Sequence, residues 1–234
     1  MAEQKVCVVT GVGPGTGAAM VRRFHEGGYR VAMIARTAER LEALAGEMPN
    51  AHAYPCDMAD PAQIESTLAR VADELGPPSI AIHNAVGGAF GDFLSIEPAQ
   101  LEANFQVNVM GLLHLGRAVA PAMIEAGEGA IIVTGNTSAL RGKAGFAGFA
   151  PTKAAQRILA ESMARSLGPQ HVHVAYIVID AVIDLAWTRR RFADQPDGFF
   201  IQPASIAENA WYLAHQDPSA WTFLSELRPH GENW

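Results

Sequence analysis

The run Val6-Cys7-Val8-Val9-Thr10-Gly11-Val12-Gly13-Pro14-Gly15-Thr16-Gly17 decides how the rest of the chain is read. Its first five residues are short, apolar and mostly β-branched, as a strand buried on both faces should be. Glycines then recur at Gly11, Gly13, Gly15 and Gly17, and Gly15–Glu26 reads as a helix. Glycine permits a tight turn and lets backbone N–H groups approach a diphosphate; the helix N-terminus adds positive potential there. A glycine-rich loop alone is weak evidence, but between a first strand and a helix it becomes strong. The candidate phosphate contacts are Gly11, Gly13, Gly15, Thr16 and Gly17, with a purely structural turn as the other reading.

Outward from this run, short apolar segments alternate with longer helical ones, the pattern of a parallel sheet covered by helices on both faces. Strands are expected at Val6–Thr10, Tyr29–Ala35, His52–Pro55, Ser79–Asn84, Ala130–Thr134, His173–Ile179 and Trp221–Leu227. Helices are expected at Gly15–Glu26, Glu39–Glu47, Pro61–Leu75, Pro98–Glu125, Phe149–Leu167 and Ala204–His215. Asp60-Pro61 and Glu97-Pro98 suit helix starts; Gly27-Gly28, Gly76 and Gly168 suit stops. The fold class is therefore α/β, a doubly wound parallel sheet of Rossmann-like form, in one domain over 1–234.

Composition agrees. With 234 residues, 49% apolar and 18% charged, the chain can bury a large core. A net charge of −7 argues against a nucleic-acid backbone or an anionic membrane as partner. Cys7 and Cys56 stand 49 positions apart, which suits buried thiols in a reducing cytoplasm rather than a disulfide framework. No run is expected to reach the ~20 apolar residues that span a bilayer, and the N-terminus reads as a first strand rather than an export signal. His171-x-His173 lacks acidic or thiol ligands nearby, so strand-edge solvation is expected there and no metal site.

The end of the second strand reports on a nucleotide's ribose. A carboxylate there accepts bonds from a 2′-hydroxyl, whereas an arginine favours a 2′-phosphate. The run is Ile34-Ala35-Arg36-Thr37, so Arg36 points to NADP(H) rather than NAD(H).

In these residues the chain resembles the short-chain dehydrogenase/reductase family. Thr10 to Gly17 match its Thr-Gly-x-x-x-Gly-x-Gly signature at Gly11, Gly15 and Gly17. Cys56-Asp57-Met58 resembles the segment whose aspartate meets adenine. His83-Asn84-Ala85-Val86-Gly87 resembles its Asn-Asn-Ala-Gly segment, with His83 and Val86 as departures. Asn108-Val109-Met110-Gly111 resembles the segment carrying its catalytic asparagine. The resemblance implies that Asp57 lies near adenine, that Asn84, Ala85 and Ile183 line the cofactor, and that Lys153 binds the nicotinamide ribose.

The family's catalytic set is Asn, Ser, Tyr and Lys. Here Lys153-Ala154-Ala155 looks like its Lys-Ala-Ala run, and four residues earlier, where tyrosine belongs, stands Phe149. Thirteen further back the serine position is Asn136. Asn108 and Lys153 are thus kept, while Asn136 and Phe149 are replacements. The chain is similar to a divergent subgroup with Phe at the tyrosine position and the lysine retained. Asp180-Ala181 stands where the family tends to have Pro-Gly, and Leu185 replaces its cofactor-contacting threonine.

Phenylalanine has no titratable proton, and positioned proton transfer contributes about 10²–10⁴-fold to rate. Three readings follow. Another group gives the proton: Lys153 directly or through water, with Asn136 donating an amide N–H to a carbonyl oxygen and Thr137 or Ser138 extending a relay. Or the substrate needs no enzymic acid, as with an iminium ion, a quinone or an activated alkene. Or the chain is a non-catalytic NADP(H)-binding sensor or scaffold. The first two make it an oxidoreductase with a small-molecule substrate and atypical proton delivery.

The segment 184–202 mixes Trp187, Arg189-Arg190-Arg191, Phe192 and Phe199-Phe200 without periodicity, and reads as a long loop or as a substrate lid. The helices around Asn108–Met123 and Lys153–Leu167 are apolar around much of their circumference, which means further burial within the subunit or against another chain. The resemblance implies a homodimer or homotetramer packed through them.

Overall fold

A computed structural model describes residues 4–231, so the two ends of the expected domain, 1–3 and 232–234, lie outside the described residues. The elements run β1 (Val6–Thr10), α1 (Thr16–Glu26), β2 (Arg30–Ala35), α2 (Ala38–Glu47), β3 (Ala51–Pro55), α3 (Pro61–Leu75) and β4 (Pro78–His83). Then come α4 (Pro98–Phe105), a π turn (Gln106–Met110), α5 (Gly111–Ala126), β5 (Gly129–Asn136), α6 (Ala150–Leu167) and β6 (Val172–Ile179). The chain ends through β7 (Val182–Ile183), α7 (Ala186–Arg191), β8 (Phe200–Ile201), α8 (Pro203–Ala214) and β9 (Leu224–Leu227).

Seven strands form one parallel sheet in the order β3-β2-β1-β4-β5-β6-β9. The order reverses between β1 and β4, which places a crevice beyond their carboxyl ends. Every residue of β1 and β6 is buried, so alternate side chains feed two cores. Val8, Leu112, Val133 and Tyr176 pack on the face covered by α3, α5 and α6. Val9, Phe24, Ile132 and Ile177 pack on the face covered by α1 and α8.

Local chemistry sets several boundaries. The Asp60 carboxylate accepts from the N–H groups of Ala62 (3.0 Å) and Gln63 (3.2 Å), capping α3 ahead of Pro61. Glu97 makes no such bond, so Pro98 marks that start by its fixed φ alone. α6 does not stop on a left-handed Gly168; it tightens into a 3₁₀ turn, and His171 (φ 62°) adopts that conformation instead.

Three expectations need correction. By length and composition the continuous helix Pro98–Ala126 could cross a bilayer, with 29 residues and an 18-residue stretch of mean hydropathy 1.3. Half of its apolar window is buried, and it packs on β4, α3 and α6 as a core helix of the domain. His173 is not solvated at a strand edge. It is buried, stacked on Trp221, with Nδ1 3.0 Å from Leu213 O and Nε2 2.9 Å from Thr222 O. The 184–202 segment is not an unstructured loop, since it holds α7 and the strand β8, which pairs in parallel with β7 just before the segment, Val182↔Phe200 and Ile183↔Ile201.

Candidate active site

The glycine loop turns at the carboxyl end of β1 and feeds α1. Gly11 has φ +70°, and a Cβ there would lie 2.5 Å from Ala85 Cα and N, so strand β4's exit packs directly on the turn. A Cβ on Gly17 would meet Gly11 O at 2.5 Å and Val12 Cα at 2.7 Å. These contacts fix the loop by backbone alone. No side chain caps α1; the N–H groups of Ala18 and Ala19 donate to Gly13 O and Gly15 O, which leaves those of Thr16 and Gly17 for the crevice. A Cβ on Gly13 would meet nothing, so a ligand can approach the backbone closely there.

The other expected nucleotide contacts gather at the same sheet end. Asn84 Nδ2 donates to Gly11 O (2.9 Å), and its Oδ1 accepts from Thr134 Oγ1 (3.0 Å), tying β1, β4 and β5 together. Asp57 follows β3 and accepts from Ala59 N at 3.0 Å. Arg36 follows β2, is exposed and has no ion-pair partner among the described residues. Ile183 in β7 pairs with Ile201, and its carbonyl accepts from Thr188 Oγ1 at 2.6 Å. Thr16 is buried in the first turn of α1.

At the catalytic end, Asn136 closes β5. Its Oδ1 accepts from Ser138 N at 3.0 Å, a turn-capping role that leaves Nδ2 as a donor. Phe149 is buried at the start of α6, its ring centroid 5.1 Å from that of Phe90, which in turn packs on Phe146. Three phenyl rings thus stand where the resemblance implies a hydroxyl. Asn108 is wholly buried; its Oδ1 accepts from Gly87 N (2.9 Å), and its Nδ2 donates to Gly87 O (3.0 Å) and Thr152 Oγ1 (2.8 Å). It therefore holds the loop after β4 against α6.

Lys153 is 2% exposed and reaches from α6 to the end of β5, where Nζ donates to Thr134 O at 3.0 Å. Its second partner is Gln156 Oε1 at 2.5 Å. Burial without a carboxylate partner lowers its pKa to about 7. His83, fully buried below it, is pushed down to about 3 by burial and then by the lysine's charge. It is a neutral core histidine and no proton donor at neutral pH.

Several working residues escaped the sequence reading. Asn104, one helical turn before Asn108, donates from Nδ2 to Gly148 O (2.6 Å) and Ala89 O (3.3 Å). The i, i+4 spacing of two asparagines in an apolar helix was the available signal. Gln156 sits three residues beyond Lys153 on α6, and Tyr176 lies within the apolar strand β6, where nothing marks its hydroxyl.

The 184–202 segment is bound together by Arg189. The guanidinium makes a two-pronged bond with Asp184 (2.7 and 2.7 Å), a third to Asp197 (2.6 Å), and lies 4.0 Å from the centre of the Phe200 ring. Together with Gln202 it holds the Asp184 carboxyl down at about 2. The next residue, Leu185, places its Cδ2 where a Cβ on Gly15 would have to go, so its side chain covers part of the glycine loop. On the other side, an open cleft of about 550 Å³ is walled by Phe93, Ser138, Leu140, Lys143, Phe146 and Pro151, next to the catalytic positions.

A family profile described as short chain dehydrogenase matches residues 5–191. Among curated proteins the chain is similar to the L-xylulose reductase of Bos taurus, 27% identical over 225 residues, or 92% of this chain and 91% of that protein. It is also similar to the D-erythrulose reductase of Gallus gallus, 32% identical over 168 residues, 71% of this chain and 67% of that one. Among solved structures it is similar to a metagenomic short-chain oxidoreductase in complex with NADP (29% identity, TM-score 0.84, covering 96% of this chain and 97% of that one). The serine dehydrogenase from Escherichia coli superposes with TM-score 0.85 at 26% identity, over 98% and 100% of the two chains.

Proposed function

The chain belongs to the short-chain dehydrogenase/reductase family, and from that premise we propose that it is an NADP(H)-dependent oxidoreductase in which Lys153 supplies the proton. The observation that carries this reading is the buried lysine at the end of β5, its affinity for a proton lowered to the neutral range by burial. A group whose pKa lies near the working pH is a competent general acid. Among the residues at the tyrosine, serine and lysine positions, Lys153 alone has an exchangeable proton of that strength.

The crevice fits a dinucleotide phosphate. The uncapped start of α1 and the open approach to Gly13 suit a diphosphate, and exposed, unpaired Arg36 suits a 2′-phosphate. Asp57 serves the adenine, and Asn84, Ala85 and Ile183 the ribose side. The fit narrows at Gly15, where Leu185 must shift its side chain. NADPH, when bound, supplies the hydride. Asn136 Nδ2 donates to the substrate's oxygen and stabilises developing charge without giving a proton. Thr134 O and Gln156 hold two of the Lys153 donors, leaving one for the substrate side. Phe149, with Phe90 and Phe146, walls the site with apolar rings and favours a small molecule with an apolar part.

Self-association through α5 and α6 belongs to the same reading, since Ile124 and Ile158 on these helices are exposed; light scattering should give a dimer or tetramer. A cytoplasmic location fits its two free, buried cysteines.

The test is titration with NADPH and NADH, wild type against Phe149→Tyr, followed by one panel of ketones, iminium ions and activated alkenes on both. Tight NADPH binding with turnover by wild type, abolished in Lys153→Met, is expected. Turnover of iminium ions or alkenes that survives Lys153→Met would mean the substrate needs no enzymic acid. Binding without any turnover in wild type would make the chain a nucleotide sensor or scaffold, and binding of neither nucleotide would overturn the reading.

A further inference from the structure

Buried amide side chains in an apolar helix are unusual unless their hydrogen bonds are filled, and Gln156 is wholly buried. Its amide is engaged at both ends. Nε2 donates to Asn108 O at 2.8 Å, and Oε1 accepts from Lys153 Nζ at 2.5 Å and from Tyr176 Oη at 3.2 Å. The Asn108 carbonyl belongs to the π turn, where the helix bonds i→i−5, as Gly111 N to Gln106 O shows. Tyr176 reaches the same point from β6 below, and a Cβ on Gly135 would collide with its ring, so this opening in β5 is shaped for the phenol. Three elements thus converge on one amide: the π turn, the sheet and α6.

We propose that Gln156 is a positioning residue for the reaction: anchored to the Asn108 backbone and to Tyr176, it grips the Lys153 amine and sets both where that amine points and how firmly it keeps its proton. The inference rests on Lys153 as proton source and adds what governs it. An amide oxygen is a neutral acceptor. It favours the ammonium enough to keep a fully buried lysine ionisable, yet far less than a carboxylate would. In the reductive direction the N–H bond of Lys153 breaks as the O–H bond of the product forms, and the resulting amine regains a proton from a buffer acid after product leaves. No charge stays on Gln156 or Tyr176, whose phenol is pushed well above its ordinary range by burial.

The chain has three lysines, Lys5, Lys143 and Lys153, so [ε-¹³C]lysine labelling gives a countable NMR spectrum, with Lys153 assigned by its loss in Lys153→Met. Its titration is followed in the intact protein for wild type, Gln156→Glu and Gln156→Met. The expected result is at least tenfold higher proton affinity at Lys153 with the carboxylate and at least threefold lower with the thioether. Should Gln156→Glu fail to fold, Gln156→Met, which keeps volume and chain shape, decides alone. A Lys153 midpoint within twofold of wild type in the folded variants would overturn the inference. The pH profile of turnover separates the two layers. If the NMR midpoint moves and the rate profile does not follow, the grip by Gln156 stands and Lys153 is not the proton source.

Discussion

Gly17 and Gly15 stand two residues apart in one loop, yet substituting alanine at each should have different consequences. At Gly17 the added methyl would lie 2.5 Å from Gly11 O and 2.7 Å from Val12 Cα, about 1 Å inside ordinary contact. Both obstacles are backbone, held by the exits of β1 and β4, and cannot turn aside. Overpacking of this kind costs about 1–3 kcal/mol, and the better helix propensity of alanine returns at most ~1 kcal/mol. Against rigid backbone the upper part of that cost applies, about 2–3 kcal/mol, so the net loss for Gly17→Ala should be about 1–2 kcal/mol, a fall of about 2–8 °C in Tm for a chain of this size. At Gly15 the obstacle is the end of the half-buried Leu185 side chain, which can move for about 0.5–1.5 kcal/mol of rotamer strain. Leu185→Ala should therefore relieve Gly15→Ala and leave the loss from Gly17→Ala unchanged. Urea unfolding of the nucleotide-free protein, in wild-type and Leu185→Ala backgrounds, completes two mutant cycles. A Gly17→Ala protein as stable as wild type, or one rescued by Leu185→Ala, would refute the assignment of the obstacle to backbone.

Three further outcomes follow from the same geometry. Burial lowers Lys153 from 10.5 to about 7, so between those values the unfolded chain binds a proton that the folded chain does not, and stability rises with pH across the window. Below pH 7 the folded chain carries a buried charge, so Lys153→Met should be the more stable protein there, its advantage shrinking toward pH 10; a pH-independent difference would count against it. Arg36→Asp, at an exposed position, should leave Tm unchanged while weakening NADPH at least tenfold and improving NADH, as read by fluorescence titration. Arg189→Ala removes the bonds to Asp184 and Asp197 and should bring the first tryptic cuts into 184–202; an unchanged cleavage order would sink that expectation.

Much of this was written in local sequence. β1 was legible to the residue, because five buried positions, four of them β-branched, end in a glycine turn whose conformation few other residues adopt. The gathering of Gly11, Asn84 and Arg36 at one end of the sheet was equally legible, since they stand at strand ends that periodicity already locates. What escaped was anything depending on a partner distant in sequence or on a single-residue change of helical register. The expected helix Pro98–Glu125 is continuous, but periodicity cannot reveal the π turn that directs the Asn108 carbonyl outward. Gln156 and Tyr176 looked like a helix polar residue and a strand aromatic, and only their meeting gives either a role. The 184–202 segment failed for another reason: its strand is two residues long and its helix six, too short to leave a period, and much of its order comes from one arginine.

That arginine has a thermodynamic consequence. The bonds of Arg189 to Asp184 and Asp197, its stacking on Phe200 and the bond between Gln202 and Asp184 all fall within nineteen consecutive positions, 184–202. Much of the segment's order thus comes from its own side chains, added to the pairing of Phe200 and Ile201 with Val182 and Ile183. A flexible lid loses about 1–2 kcal/mol of backbone conformational entropy for each residue it orders on closing. This one has already lost most of that freedom in the folded protein. Any displacement of it from Gly15 would then be the movement of one body about its two ends, with an entropy change set by a few hinge torsions and not by its length.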